Sequence, residues 1–138
     1  MGTDIVVGID GSEHSAAALR WAVDEAALRG VRVRAVLAWS FLGQGHTNLG
    51  VGTTDESARA ELDRCIADVA GEQAGLVDPV TINDLPVPAL LEQAKDAALV
   101  VVGSRGVGGV KGLLQGSTSR TVVERSPVPV VVVHPPRA

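Results

Sequence analysis

The chain is nearly without aromatic residues: two Trp, one Phe and no Tyr in 138 positions. Stacking platforms for nucleic-acid bases need aromatic faces, so a surface for single-stranded DNA or RNA is not expected. Positive charge is short as well. Twelve Lys and Arg stand against 16 Asp and Glu, a formal net charge of −4, whereas a surface that tracks nucleic-acid phosphates must be basic. One cysteine, Cys65, cannot close an internal disulfide and fits a reducing compartment. The apolar runs are too short to span a bilayer, and the opening residues lack the basic-then-apolar pattern of a secretory signal. These absences predict a cytoplasmic protein with neither a membrane nor a nucleic-acid partner. Catalytic signatures are missing too. There is no Gly-Lys pair for a P-loop, no Gly-x-Ser-x-Gly elbow and no pair of carboxylates set aside for a metal. His46 has no second ligand at metal spacing.

With so few aromatics, the core must be built from Val, Leu, Ile and Ala. Hydrophobic residues are 46% and charged residues 20% of the chain, a globular profile that suits a parallel sheet covered on both faces. The length predicts one domain over residues 1–138. Asp4–Ile9 reads as a first strand. Glu13–Arg29 reads as a helix stopped by Gly30, with Leu19, Ala22, Val23, Ala26 and Ala27 on one face, Trp21 beside them, and Arg20, Asp24, Glu25 and Arg29 in solvent. Val31–Ala38 is the second strand, with Trp39 at its carboxyl end and a long polar, glycine-bearing loop over 40–52 behind it. A helix then begins near Thr53 or Thr54, with Thr53 and Glu56 as a capping box and Leu62, Cys65, Ile66 and Val69 inward. Cys65 reads as packing, because nothing nearby in sequence would lower its pKa. Pro79–Ile82 is a short edge strand and Val87–Asp96 a helix with Leu90, Leu91 and Ala94 inward. Leu99–Val102 is a buried strand, about Thr118–Arg125 a helix, and Val128–His134 the last strand, with His134 structural.

Strands alternating with helices predict a doubly wound α/β domain, flavodoxin- or Rossmann-like. Its parallel five-stranded sheet takes the order 3-2-1-4-5. That order sets the first and fourth strands side by side, so that Asp10 and Gly103 meet at one crevice although they are far apart in sequence. After the fourth strand come Gly103, Gly106, Gly108, Gly109, Gly112 and Gly116, then Ser117, Thr118 and Ser119 at a helix start. Strand, glycine loop and capped helix present backbone N–H groups to an anion, a phosphate cradle. Asp10, at the end of an apolar strand, reads as a ligand contact in preference to a turn residue. Ser12 reads equally as a helix cap. Arg105 and Lys111 either add charge to the cradle or lie in solvent.

The spacing Gly103-x2-Gly106-x9-Gly116-Ser117 resembles the Gly-x2-Gly-x9-Gly-Ser/Thr motif of ATP-binding universal stress proteins. Val6–Ser12, Val100–Gly106 and Ser126–Val130 resemble that family's first strand and turn, fourth strand and loop, and final strand. The resemblance implies ATP as ligand, with Mg2+ as an optional companion bridging phosphate oxygens and no side-chain metal site. It implies nucleotide contacts from Asp10, Gly11, Ser12, Gly103, Arg105, Gly106, Gly116, Ser117 and Thr118, and from the backbone of Trp39 at the adenine edge. It implies a homodimer through residues 128–134 and a role as a stress-response regulator or sensor. The chain departs from the pattern where Asp84-Leu85-Pro86 replaces Gly-x-Pro and where Ala98 replaces a frequent aspartate. Two other functions fit the residues: a slow ATPase or phosphotransferase, and a nucleotide-free dimeric interaction module.

Overall fold

Runs of Val and Ile bounded by glycine, proline or helix caps become the strands, because β-branched side chains pack well on a pleated surface. The computed structural model describes residues 2–40, 54–105 and 117–136. The elements are β1 (Ile5–Ile9), α1 (Glu13–Arg29), β2 (Val33–Trp39), α2 (Asp55–Ala70), β3 (Val77–Asn83), α3 (Pro86–Ala94), β4 (Leu99–Gly103), α4 (Ser117–Arg125) and β5 (Val130–Val133). A 3₁₀ segment, Gly71–Leu76, joins α2 to β3. The strands form one sheet in the order β3-β2-β1-β4-β5, with every neighbouring pair parallel. This is the order expected from the sequence.

Alternation along the central strands serves both faces of the sheet. Ile5, Val7 and Ile9 of β1 pack with Leu19 and Val23 of α1 and Leu62 and Ile66 of α2. Val6, Val36, Val100 and Val102 pack on the other face with Leu90 and Ala94 of α3 and Val122 of α4. A strand buried on both faces has no polar alternation to show, which is why β1 and β4 read as unbroken apolar runs.

Several boundaries differ from the sequence reading, each for a local reason. Gly30 takes φ 69° and closes α1 with its N–H on the Ala26 carbonyl, and Val31 N–H donates to the same oxygen. Val31 is thereby spent on the helix end, and β2 begins at Val33. Ala27, expected inward, is exposed. The cap of α2 is Thr54 with Ser57, whose hydroxyl accepts from Thr54 N–H at 2.9 Å while Thr54 Oγ1 accepts from Ser57 N–H at 3.2 Å. A short hydroxyl closes the box one residue later than the expected Thr53–Glu56 pair. β3 is seven residues long and contains Pro79, tolerated because this is an edge strand with one side free of ladder bonds. α3 begins at Pro86 in its first turn, where a missing N–H costs nothing, and buries Ala89 where Leu91 was expected. β5 starts only at Val130, because Ser126 Oγ holds Val128 in a turn, accepting from its N–H and donating to its carbonyl.

Charge is also less idle than expected. Arg20 crosses from α1 to donate to the Val69 carbonyl and to Gln73 Oε1, both at 2.6 Å, as well as to Asp24. At the amino end of the sheet, Arg34 is only 16% exposed and reaches Gln93 and Asp96 at 2.9 and 3.0 Å. Among the described residues no helix is long and apolar enough to cross a membrane.

Candidate functional site

Right-handed crossovers between parallel strands begin each helix at the edge where the preceding strand ends. The carboxyl ends of β1 and β4 and the starts of α1 and α4 therefore share one edge of the sheet. At that edge the sheet opens. The β1–β4 ladder runs from Ile5 opposite Leu99 to Val7 opposite Val101 and stops. β1 continues to Ile9 against β2, and β4 continues to Gly103 against β5. The last two residues of each strand thus pair with their outer neighbours alone, at the topological switch point, where ligands of open α/β sheets bind.

The turn after β1 is held by its own polar groups. Gly11 has φ 84°, a left-handed conformation that favours glycine. Asp10 Oδ1 accepts from Ser12 N–H at 2.9 Å and from the Ser12 hydroxyl at 2.5 Å. Ser12 Oγ in turn accepts from Ser15 N–H at 3.2 Å and caps α1. The buried Ser15 hydroxyl accepts from Asp10 N–H at 3.3 Å and donates to the Ser12 carbonyl at 3.0 Å. Ser12 is therefore a helix cap, the first of its two readings, and its hydroxyl proton is already committed to Asp10. The carboxylate is fixed in direction by this turn.

On the other side of the crevice, Gly103 lies against the first turn of α1. A Cβ built there would stand 2.7 Å from the carbonyl carbon and oxygen of His14 and 2.9 Å from its Cβ. The next residue, Ser104, places its hydroxyl 3.1 Å from His14 Nδ1 and donates its N–H to the Val133 carbonyl at 2.9 Å. Arg105 follows and is exposed. Sequence reasoning missed His14. It lies 90 residues from Ser104, in a helical turn with no motif, and only the β1–β4 adjacency signals it.

Trp39 ends β2 opposite Asn83 of β3. Its indole is turned into the core under α1 and α2, and Nε1–H donates to Asp55 Oδ1 at 3.2 Å, an oxygen that also accepts from Thr81 Oγ1 at 2.7 Å. Its side chain is thus structural, and its backbone sits at the strand end. Asp84, which replaces a glycine of the family pattern, is exposed and turns its Oδ1 onto the N–H of Leu85 at 2.7 Å. Ser117 and Thr118 form the first turn of α4, where Thr121 Oγ1 donates to the Ser117 carbonyl. The first N–H groups of any helix lack intrahelical acceptors, so these positions fit an anion. Gly106 and Gly116, with Lys111 and His46, fall outside the described residues. Cys65 is half-buried on the α2 face that packs on the core, and burial pushes its thiol pKa up, as a packing residue's would be. No group of three or more His, Cys, Asp or Glu that would hold a metal occurs among the described residues.

The model of the universal stress protein family matches residues 1–134. A universal stress protein of Mycobacterium tuberculosis is 40% identical over 140 residues, covering 96% of this chain and 44% of its own length. One from Mycolicibacterium smegmatis is 35% identical over 139 residues, covering 94% of this chain and 47% of its own. The chain thus spans less than half the length of these curated relatives. Among solved structures, a universal stress protein in complex with cAMP superposes with TM-score 0.71 at 28% identity, covering 98% of both chains. One from Archaeoglobus fulgidus in complex with dAMP gives 0.67 at 25%, covering 94% of this chain and 96% of its own. The five-stranded order and these matches together establish that this chain belongs to the universal stress protein family.

Proposed function

We propose that the chain is a nucleotide-binding module that holds ATP in the crevice between the carboxyl ends of β1 and β4. The observation that carries this reading is the end of the β1–β4 ladder at Val7 and Val101. It sets the Asp10 carboxylate and Gly103 at the two sides of the switch point. The proteins solved with cAMP and dAMP support an adenine nucleotide as the ligand class.

In this reading Asp10 and the Gly11–Ser12 backbone hold the adenosine part, and the backbone of Trp39 meets the adenine edge. The N–H groups of Gly103, Gly106, Gly116, Ser117 and Thr118 receive ribose and phosphates, with Arg105 adding charge. Mg2+ would be carried on phosphate oxygens and water. The domain spans residues 1–138 and acts in the cytoplasm as a stress-response regulator or sensor. The outer edge of β5 pairs two copies.

Calorimetric titration with ATP and Mg2+ tests the proposal, beside Asp10→Ala and Gly116→Val. Micromolar binding, about 8 kcal/mol, lost in Gly116→Val and weakened in Asp10→Ala, is the expected result. A parent freed of co-purified nucleotide that binds neither ATP, AMP nor cAMP refutes it. The nucleotide-free interaction module then becomes the reading to pursue.

A further inference from the structure

We infer that His14 is a positioning residue of this site: by holding the Ser104 hydroxyl, it fixes Gly103–Arg105 at the end of β4, and with them the Gly103 amide offered to the nucleotide. The inference rests on the nucleotide reading and names a residue on which that site depends.

Three observations converge on it. His14 Nδ1 lies 3.1 Å from Ser104 Oγ across 90 residues of sequence, joining α1 to the residue that follows β4. At the same place Gly103 packs on the His14 backbone with no room for a Cβ, so the two elements are seated on each other. Ser104 is gripped from its other side as well, because its N–H donates to the Val133 carbonyl of β5. Ser104 is therefore held between α1 and β5, immediately before the glycine-rich segment that begins at Gly106.

Local helix energetics do not explain a histidine here. Acidic residues such as the neighbouring Glu13 suit a first turn, and an imidazole makes no cap there. The contact with Ser104 supplies a reason. The serine hydroxyl donates to a bare Nδ1 or accepts from Nδ1–H, so the link holds in either tautomer. His14 thus acts through Ser104, not by contact with the ligand.

The test uses His14→Ala, His14→Asn, Ser104→Ala and the double variant His14→Ala/Ser104→Ala. ATP–Mg2+ affinity is read by calorimetry and amide exchange by mass spectrometry or NMR. Each alanine variant should weaken ATP binding about fivefold, the effect of one ordinary hydrogen bond. The double variant should lose no more than either single, since both remove one interaction. Asparagine brings a side-chain amide atom to the place of Nδ1, so His14→Asn should recover most of the affinity. Exchange at the Ser104 amide should quicken in His14→Ala while Val100–Val102 stay as protected as in the parent.

Parent-like affinity in His14→Ala overturns the proposal. So does a loss that spreads to exchange along the whole of β4, which would mark a merely structural role. Additive losses in the double variant, or no recovery by asparagine, also overturn it, because His14 would then act without Ser104. If the parent binds no ATP, the nucleotide reading fails by itself. Exchange at Ser104 then decides the link: faster exchange in His14→Ala sustains His14 as the residue that positions this segment, and unchanged exchange overturns it.

Discussion

Gly103→Ala isolates the closest approach in the site. Gly103 does not occupy the left-handed region, so the change introduces no backbone strain, and its whole effect is steric. The new Cβ would stand 2.7 Å from the His14 carbonyl carbon and oxygen, about 0.7 Å inside the 3.4 Å at which ordinary contact begins. The obstructing atoms are backbone in the first turn of α1, which is capped by Ser12 and tied to Asp10 through Ser12 and Ser15. They cannot swing aside as the tip of a long side chain would. Overpacking of this kind costs about 1–3 kcal/mol; two backbone clashes against a capped helix put the expectation near 2 kcal/mol. Urea unfolding should show a lower midpoint at an unchanged slope. ATP affinity should fall as well, because α1 moves away from Ser104. Two other glycines serve as controls. Gly75→Ala meets nothing within 4 Å and should be neutral. Gly30→Ala also meets nothing but sits at φ 69°, and should lose roughly 1 kcal/mol from strain alone. A Gly103→Ala protein within 0.5 kcal/mol of the parent would refute the claimed seating of α1 on β4.

Ser12→Ala removes the α1 cap and the hydroxyl donor to Asp10 Oδ1; it should cost about 1–2 kcal/mol, read as a fall of several degrees in melting temperature. Cys65, its thiol pushed up by burial, should react with a disulfide reagent at pH 8 more slowly in the folded protein than in denaturant, and equal rates would refute this. The hydrogen bond from Arg32 holds the Asp78 carboxyl below the usual range, against an opposing effect of burial. A lowered folded pKa stabilises above the unfolded carboxylate value, about 4, and that stability is lost as pH falls through the folded value. The urea midpoint of the parent should therefore fall more steeply than that of Asp78→Asn between about pH 5 and pH 3. Because both side chains are about half exposed, 1 M salt should shrink the difference.

How much of this was legible in the sequence depends on the range of the interaction that decides each feature. β1, β4 and their order could be read directly. A valine run buried on both faces has only one reading at that length, and right-handed crossovers leave few ways to arrange five such strands. The end of α1 was legible because Gly30 acts on its own helix, but the start of β2 was not. Val31 had to be assigned either to the helix cap or to the strand, and a hydrogen bond to Ala26 decided it. The Thr54–Ser57 box was missed by one residue, since threonines at 53 and 54 offer the same chemistry. Arg20 read as solvent-facing because its partners, Val69 and Gln73, lie about fifty residues away on another element.

The same distinction runs through the site. Asp10 and Gly103 each announce themselves by position at the end of an apolar strand, and each is intelligible before the fold is known. His14 becomes intelligible only afterwards. Its local surroundings offer no reason for an imidazole, and the reason lies on a strand that the sheet order brings alongside. Asp84 shows the reverse case. In the family pattern it replaces a glycine, a position from which a carboxylate either meets the ligand or faces solvent, and here it is exposed with its Oδ1 engaged by the next residue's N–H. That interaction spans one peptide unit, so it directs this oxygen toward its own backbone. If the carboxylate's influence on an anionic ligand is thereby reduced, Asp84→Gly should change ATP affinity less than Asp10→Ala does. A larger effect at Asp84 would place its charge in the crevice after all and would make that turn a determinant of which nucleotide is held.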